Sequence, residues 1–165
     1  MRRFLLPLTA AALLVTAVPA AAEHEGEPHP VYVECDAPAA GVTVVKPADF
    51  AGTVEAPLLK GDTTSQTFQL DLSPNATALN KASVSADIDW TLAANDWDLF
   101  VYDAGGGELG ASEGLQPLDA PAESAPAGKL LHCSEFSVEV LNFQAVGVPE
   151  AVDTINLRVT VGTKS

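Results

Sequence analysis

From Val84 onward apolar Val84, Ala86, Ile88, Trp90 and Leu92 alternate with polar Ser85, Asp87, Asp89 and Thr91. A period of two marks a strand with one face buried. A second strand follows directly, with Trp97, Leu99 and Val101 on one face and Asp98, Phe100 and Tyr102 on the other. The Gly105-Gly106-Gly107 turn and the short return ELGAS complete a hairpin. The same alternation runs through Thr64 to Leu72, where Phe68, Leu70 and Leu72 face one way, and through Thr154 to Val161, where Ile155, Leu157, Val159 and Val161 do. Further strands are predicted at Val31 to Glu34, Gly41 to Val45, around Gly52 to Leu58, Lys129 to Cys133 and Phe136 to Phe143. Between them, Ser73-Pro74-Asn75, Glu113 to Gly128 and Val146 to Asp153 read as connections, the middle one long and rich in Pro, Ala and Ser. No stretch has a helical period and no segment repeats. Eight or nine short strands predict an all-β fold, an antiparallel β-sandwich whose two inner faces make the core.

The N-terminus changes the picture of where this fold operates. Arg2 and Arg3 precede an apolar run from Phe4 to Val18 and the small residues Ala20 to Ala22, the pattern of a secretory signal peptide over residues 1–22 with cleavage before Glu23. The apolar run directly after the arginines favours the general secretory route over the twin-arginine route, and no cysteine stands at the cut to carry a lipid. The acidic stretch Glu23 to Pro30 is expected to be a flexible tail, which leaves residues 31–165 as one domain. The pattern of the leader is bacterial, and the expected location is extracellular or periplasmic. The full chain carries a net charge of −14. Removal of two arginines makes the product more acidic still, so nucleic acid and anionic membranes are poor partners. Cys35 and Cys133 are the two cysteines, and in an exported chain they are expected to form one disulfide. Closing so long a loop would contribute up to about 4–5 kcal/mol.

Little in the sequence points to catalysis. Gly110-Ala111-Ser112-Glu113-Gly114 matches the G-x-S-x-G nucleophile elbow, but the serine leads into LQPLDAPAES and not into the helix that the elbow requires. His24 and His29 miss the H-E-x-x-H spacing, and Pro28 opposes its helix. His132-Cys133 with Cys35 falls short of a copper or zinc ligand set, so the disulfide is the better reading and His132 an ordinary surface or strand-edge residue. Asn75-Ala76-Thr77 matches a glycosylation acceptor, read here as a plain loop. Asp96 and Asp98 are sharper candidates. Residues two apart on a strand share a face, and two carboxylates there can just converge on calcium, with the Asn95 amide and loop carbonyls completing the shell. The competing reading is a solvated acidic strand end. Trp90 and Trp97 fall on the core register, whereas Phe100 and Tyr102 lie on the opposite face as a candidate partner surface.

DWDLFVYDAGGGELGAS, Asp96 to Ser112, resembles the bacterial pre-peptidase C-terminal domain, with its Asp-x-Asp-Leu-aromatic-aliphatic-Tyr strand, glycine turn and return strand. EFSVEVLNF and INLRVTV are similar to that family's closing strands, so the resemblance spans about Ser65 to Val161. Phe100 stands where tyrosine is commoner, and GKLLHCSEF replaces the usual glycine-tyrosine approach to the penultimate strand. The resemblance implies a jelly-roll-like sandwich with an accessory role, in secretion, stability or the binding of substrate or matrix, and calcium in some members. It implies no catalytic residue. The expectation is therefore a secreted, non-catalytic accessory or binding module for an extracellular protein, matrix or polysaccharide. The alternative is a structural envelope protein without a discrete ligand site, and a small hydrolase is the remotest reading.

Overall fold

The computed structural model describes residues 30–47, 50–56, 59–114, 121–144 and 153–162. The expected signal peptide and all but the last residue of the expected acidic tail lie outside the described residues, as does most of the Val146 to Asp153 connection. Among the described residues nine strands form two sheets: β1 (Val42–Val45), β2 (Phe50–Glu55), β3 (Thr63–Leu70), β4 (Lys81–Trp90), β5 (Asp96–Asp103), β6 (Glu108–Ser112), β7 (Ala122–Leu131), β8 (Glu135–Gln144) and β9 (Thr154–Gly162). One sheet has the order β1-β3-β8-β5-β6 and the other β2-β9-β4-β7. Strands β2 to β9 pass between the sheets at every step but the β5–β6 hairpin, in the two interlocked Greek keys of a jelly roll. β1 is an addition, pairing parallel to β3 in a fold otherwise antiparallel. Among the described residues no helix is long and apolar enough to cross a membrane.

The alternation read from the sequence becomes the core. Val84, Ala86, Ile88 and Trp90 from β4 meet Ile155, Leu157, Val159 and Val161 from β9 on one inner face. Phe68, Leu70, Trp97, Leu99, Val101, Phe136, Val138 and Val140 supply the other. Phe68 stacks on Phe136 with ring centroids 5.4 Å apart, and Phe50 meets its edge at 5.2 Å. Leu92, expected to continue the buried set, lies past the end of β4 and is exposed.

Two expected elements differ. The stretch from Glu113 to Gly128 is not all connection, because Ala122–Leu131 is a ten-residue edge strand paired with β4. Its inward positions are Glu123, Ala125, Ala127 and Leu130, so small alanines carry a pattern that a search for large apolar residues misses. Pro126 fits because an edge strand leaves half its N–H groups unpaired, and the register shifts beside it. β6 lies so close to β7 that a Cβ at Gly110 would run into the Pro126 carbonyl. Conversely, Val31 to Glu34 forms no strand. It is held by single contacts: Val33 N–H donates to the Ala76 carbonyl, and His132 Nε2 lies 2.8 Å from the Val33 carbonyl.

Candidate functional site

Cys35 and Cys133 are disulfide-bonded, with Cα atoms 5.2 Å apart. The bond ties the segment before β1 to the turn between β7 and β8. His132 sits against it and is buried, not superficial as the sequence suggested. Its Nδ1 accepts the Leu72 N–H at 3.1 Å while Nε2–H donates to the Val33 carbonyl at 2.8 Å, which fixes the orientation of the ring. Cys35, His132 and Cys133 place ligand-type atoms within 4.8 Å of one another. With both sulfurs in one bond and both nitrogens occupied by main chain, they are a structural joint and not a metal centre. Ser112, the serine of the G-x-S-x-G match, ends β6 paired with Leu99, in an antiparallel edge strand.

The end of the sandwich where β4 passes to β5 holds two buried aspartates with opposite surroundings. Asp153, which the sequence did not single out, precedes β9 and is 4 % exposed. Its Oδ1 accepts from Thr91 N–H, Thr91 Oγ1–H, Leu92 N–H and Thr154 N–H at 2.7–3.2 Å. Its Oδ2 accepts from Asn95 Nδ2 at 2.7 Å and Trp97 Nε1 at 3.1 Å. Burial pushes the carboxyl up, but hydrogen bonds from Thr91, Asn95, Trp97 and Leu92 outweigh it and hold Asp153 below the usual carboxylate range. Trp90 Nε1–H donates to the Asn95 carbonyl at 3.1 Å, so both tryptophans brace this joint by their nitrogens.

Asp96 and Asp98, the candidate calcium ligands, are 5 % and 4 % exposed and so do not form a solvated strand end. Asp96 lies between Asn95 and Trp97, both committed to Asp153, and neither of its carboxylate oxygens has a hydrogen-bond partner. Asp98 has one long contact, the Gly114 N–H at 3.4 Å from Oδ1. Burial pushes Asp96 up from its ordinary value. It also raises Asp98, opposed by Gly114 and reinforced by the charges of Asp96 and Glu113. A register shift between Asp96 and Trp97, where β5 pairs with β8, breaks the regular two-residue spacing expected of the pair. The Asn95 side-chain amide, expected to help complete a calcium shell, donates through its Nδ2 to Asp153 Oδ2.

Further along β5, Phe100 and Tyr102 are half-buried on the outer face and stack with centroids 6.1 Å apart and planes 14° from parallel. Glu139 pairs across from Phe100 and Glu108 across from Tyr102. Burial raises the Tyr102 hydroxyl above its ordinary value, and Glu139, Glu108 and Glu113 raise it further. No lysine or arginine occurs in the five strands of this sheet. The opposite sheet carries Lys81, Lys129 and Arg158. On its outer face Arg158 lines two open clefts of about 240 and 290 Å³, with Asp87, Asp89, Asn156 and Ser124 around it.

No family model matches the chain, and no curated protein matches it in sequence. Solved structures resemble it in fold. Aeromonas hydrophila PliG, a periplasmic inhibitor of g-type lysozyme, matches 73 % of this chain and 96 % of its own at 12 % identity, with a TM-score of 0.34. The pre-peptidase C-terminal domain of collagenase from Bacillus anthracis matches 76 % of this chain and 99 % of its own at 5 % identity, with a TM-score of 0.38. A Podospora anserina GH26-CBM35 β-(1,4)-mannanase matches 72 % of this chain and 29 % of its own at 17 % identity, with a TM-score of 0.36. At such identities the likeness is one of fold alone.

Proposed function

We propose that this chain is an exported, non-catalytic binding module whose contact surface is the outer face of the five-stranded sheet, centred on Phe100 and Tyr102, and whose partner is an extracellular or periplasmic protein with a basic face. The observation that carries the reading is the stacked aromatic pair set among Glu108, Glu113 and Glu139 in a sheet without a single basic residue. Half-buried rings supply apolar area, and the carboxylates around them supply charge complementarity for lysine and arginine, steering association and fixing register. A disulfide across the fold fits an oxidising compartment.

The test is retention of a panel of basic proteins and neutral oligosaccharides on the immobilised chain. The expected result is retention of basic proteins that weakens with salt and falls about tenfold in Phe100→Ala/Tyr102→Ala. Retention indifferent to both salt and the double substitution contradicts the reading. Retention of neutral oligosaccharides alone moves the partner to a polysaccharide.

A further inference from the structure

The register of the four-stranded sheet sets two polar rows across its outer face. Arg158 of β9 stands between Ala51 of β2 and Asp87 of β4, and Asp87 pairs in turn with Ser124 of β7. The neighbouring row runs Thr53, Asn156, Asp89 and Ala122. An alanine thus ends each row, at opposite edges of the sheet, and its short side chain leaves a cleft. One of about 290 Å³ lies beside Ala51, between Arg158, Asp89 and Asn156, and one of about 240 Å³ lies beside Ala122, between Arg158, Asp87, Asp89 and Ser124. Arg158 and Asp89 line both clefts. Asp87 and Arg158 are directly opposed across the ladder, where opposite charges ordinarily pair. The ion pair among the described residues is Lys46 with Asp71, however, and Arg158 makes none. Each aspartate meets a neutral donor instead: Ser124 Oγ–H donates to Asp87 Oδ1, and Asn156 Nδ2 donates to Asp89 Oδ1 at 2.7 Å. The second oxygen of each carboxylate and the guanidinium donors are left for an occupant of the clefts.

This mixture of charges selects the ligand. An anion drawn to Arg158 meets Asp87 and Asp89, and a cation drawn to the aspartates meets Arg158. A neutral molecule rich in hydroxyls meets neither repulsion, because a hydroxyl donates to a carboxylate and accepts from a guanidinium. We infer that the two clefts form a binding site for a neutral saccharide, one ring to each cleft, with Arg158 and Asp89 shared between the rings. No aromatic ring lines either cleft, so recognition rests on hydrogen bonds converging from three strands and not on stacking. The site lies on the sheet opposite Phe100 and Tyr102. It stands independently of the partner surface proposed above and can be filled while that surface is engaged.

The test is NMR titration of the full chain with neutral disaccharides and trisaccharides of glucose, mannose, galactose, xylose and N-acetylglucosamine, with sodium sulfate and putrescine as the anionic and cationic controls. Amide shifts centred on Ala51, Asp87, Asp89, Ala122 and Arg158 are expected with at least one saccharide and with neither ion. Arg158→Ala and Asp89→Ala are each expected to weaken that saccharide at least about tenfold. Ala51→Leu, which fills one cleft without touching a charge, is expected to do the same. All three positions are exposed, so the melting midpoint is expected to stay at the wild-type value. Phe100→Ala/Tyr102→Ala is expected to bind the saccharide as wild type does, which keeps this site separate from any failure of the opposite face. No shift with any saccharide, shifts with sulfate or putrescine alone, or saccharide binding that survives Arg158→Ala and is lost in Phe100→Ala/Tyr102→Ala overturns the proposal.

Discussion

Asp153 and Asp96 are buried to the same degree at the same end of the sandwich, and their neighbours treat them oppositely. Six hydrogen bonds converge on Asp153, from the ends of β4, β5 and β9. None reaches Asp96, though its two chain neighbours are both donors to Asp153. Burial alone thus says nothing about the state of a carboxylate. Satisfied, it is a structural anion that organises loops; bare, it is a group that needs a proton or a cation.

The largest effect is expected from removing the satisfied member. Asp153→Ala strands the Asn95 amide and the Trp97 indole in the interior and releases the Thr91-Leu92 turn, at a cost of about 4 kcal/mol in chemical unfolding. A loss below about 1 kcal/mol would break the comparison. Asp96→Asn is expected to act in the other sense. At neutral pH it removes a buried, unpartnered charge and stabilises by about 1 kcal/mol. Destabilisation by a similar amount would mean that the Asp96 carboxylate has a partner after all. Trp97→Phe keeps the ring volume near β8 and deletes one of the six donors, so a loss of about 1 kcal/mol follows.

Dependence on pH sharpens the contrast. Asp153 has a folded-state pKa below its unfolded value, so its stabilisation is complete above the unfolded value and is lost as pH falls through the folded one. Asp96 has a raised folded-state pKa, so its contribution is complete below the unfolded value and is lost as pH rises through the folded one. Wild type is therefore expected to lose stability relative to Asp96→Asn as pH rises from the acid range toward neutrality. Parallel pH profiles for the two proteins would count against the assignment.

The core was legible because β4, β5, β8 and β9 alternate large apolar residues with polar ones, and the cysteine pair was legible because the N-terminal pattern raised the expectation of an oxidising compartment. β7 was not, since alanines at its inward positions and Pro126 on its outer side erase both the hydrophobic contrast and the strand propensity. The short Val31 to Glu34 run misled for the reverse reason. It has β-branched residues but lies pinned by the disulfide and His132, outside either sheet. At the site, spacing marked Asp96 and Asp98, yet nothing local marks Asp153, whose donors other than the Thr154 N–H lie about 60 positions earlier in the chain. A lone acid just before a strongly alternating strand is the only signal it offers. That Asn95 would serve Asp153 and not Asp96 depends on a contact between distant segments, which no local pattern encodes.

The most direct test is carbon-13 NMR titration of the aspartate carboxyls. Asp153 is expected to titrate below the ordinary aspartate range and Asp96 above it. An Asp96 that titrates at or below the ordinary value would contradict the contrast between the two.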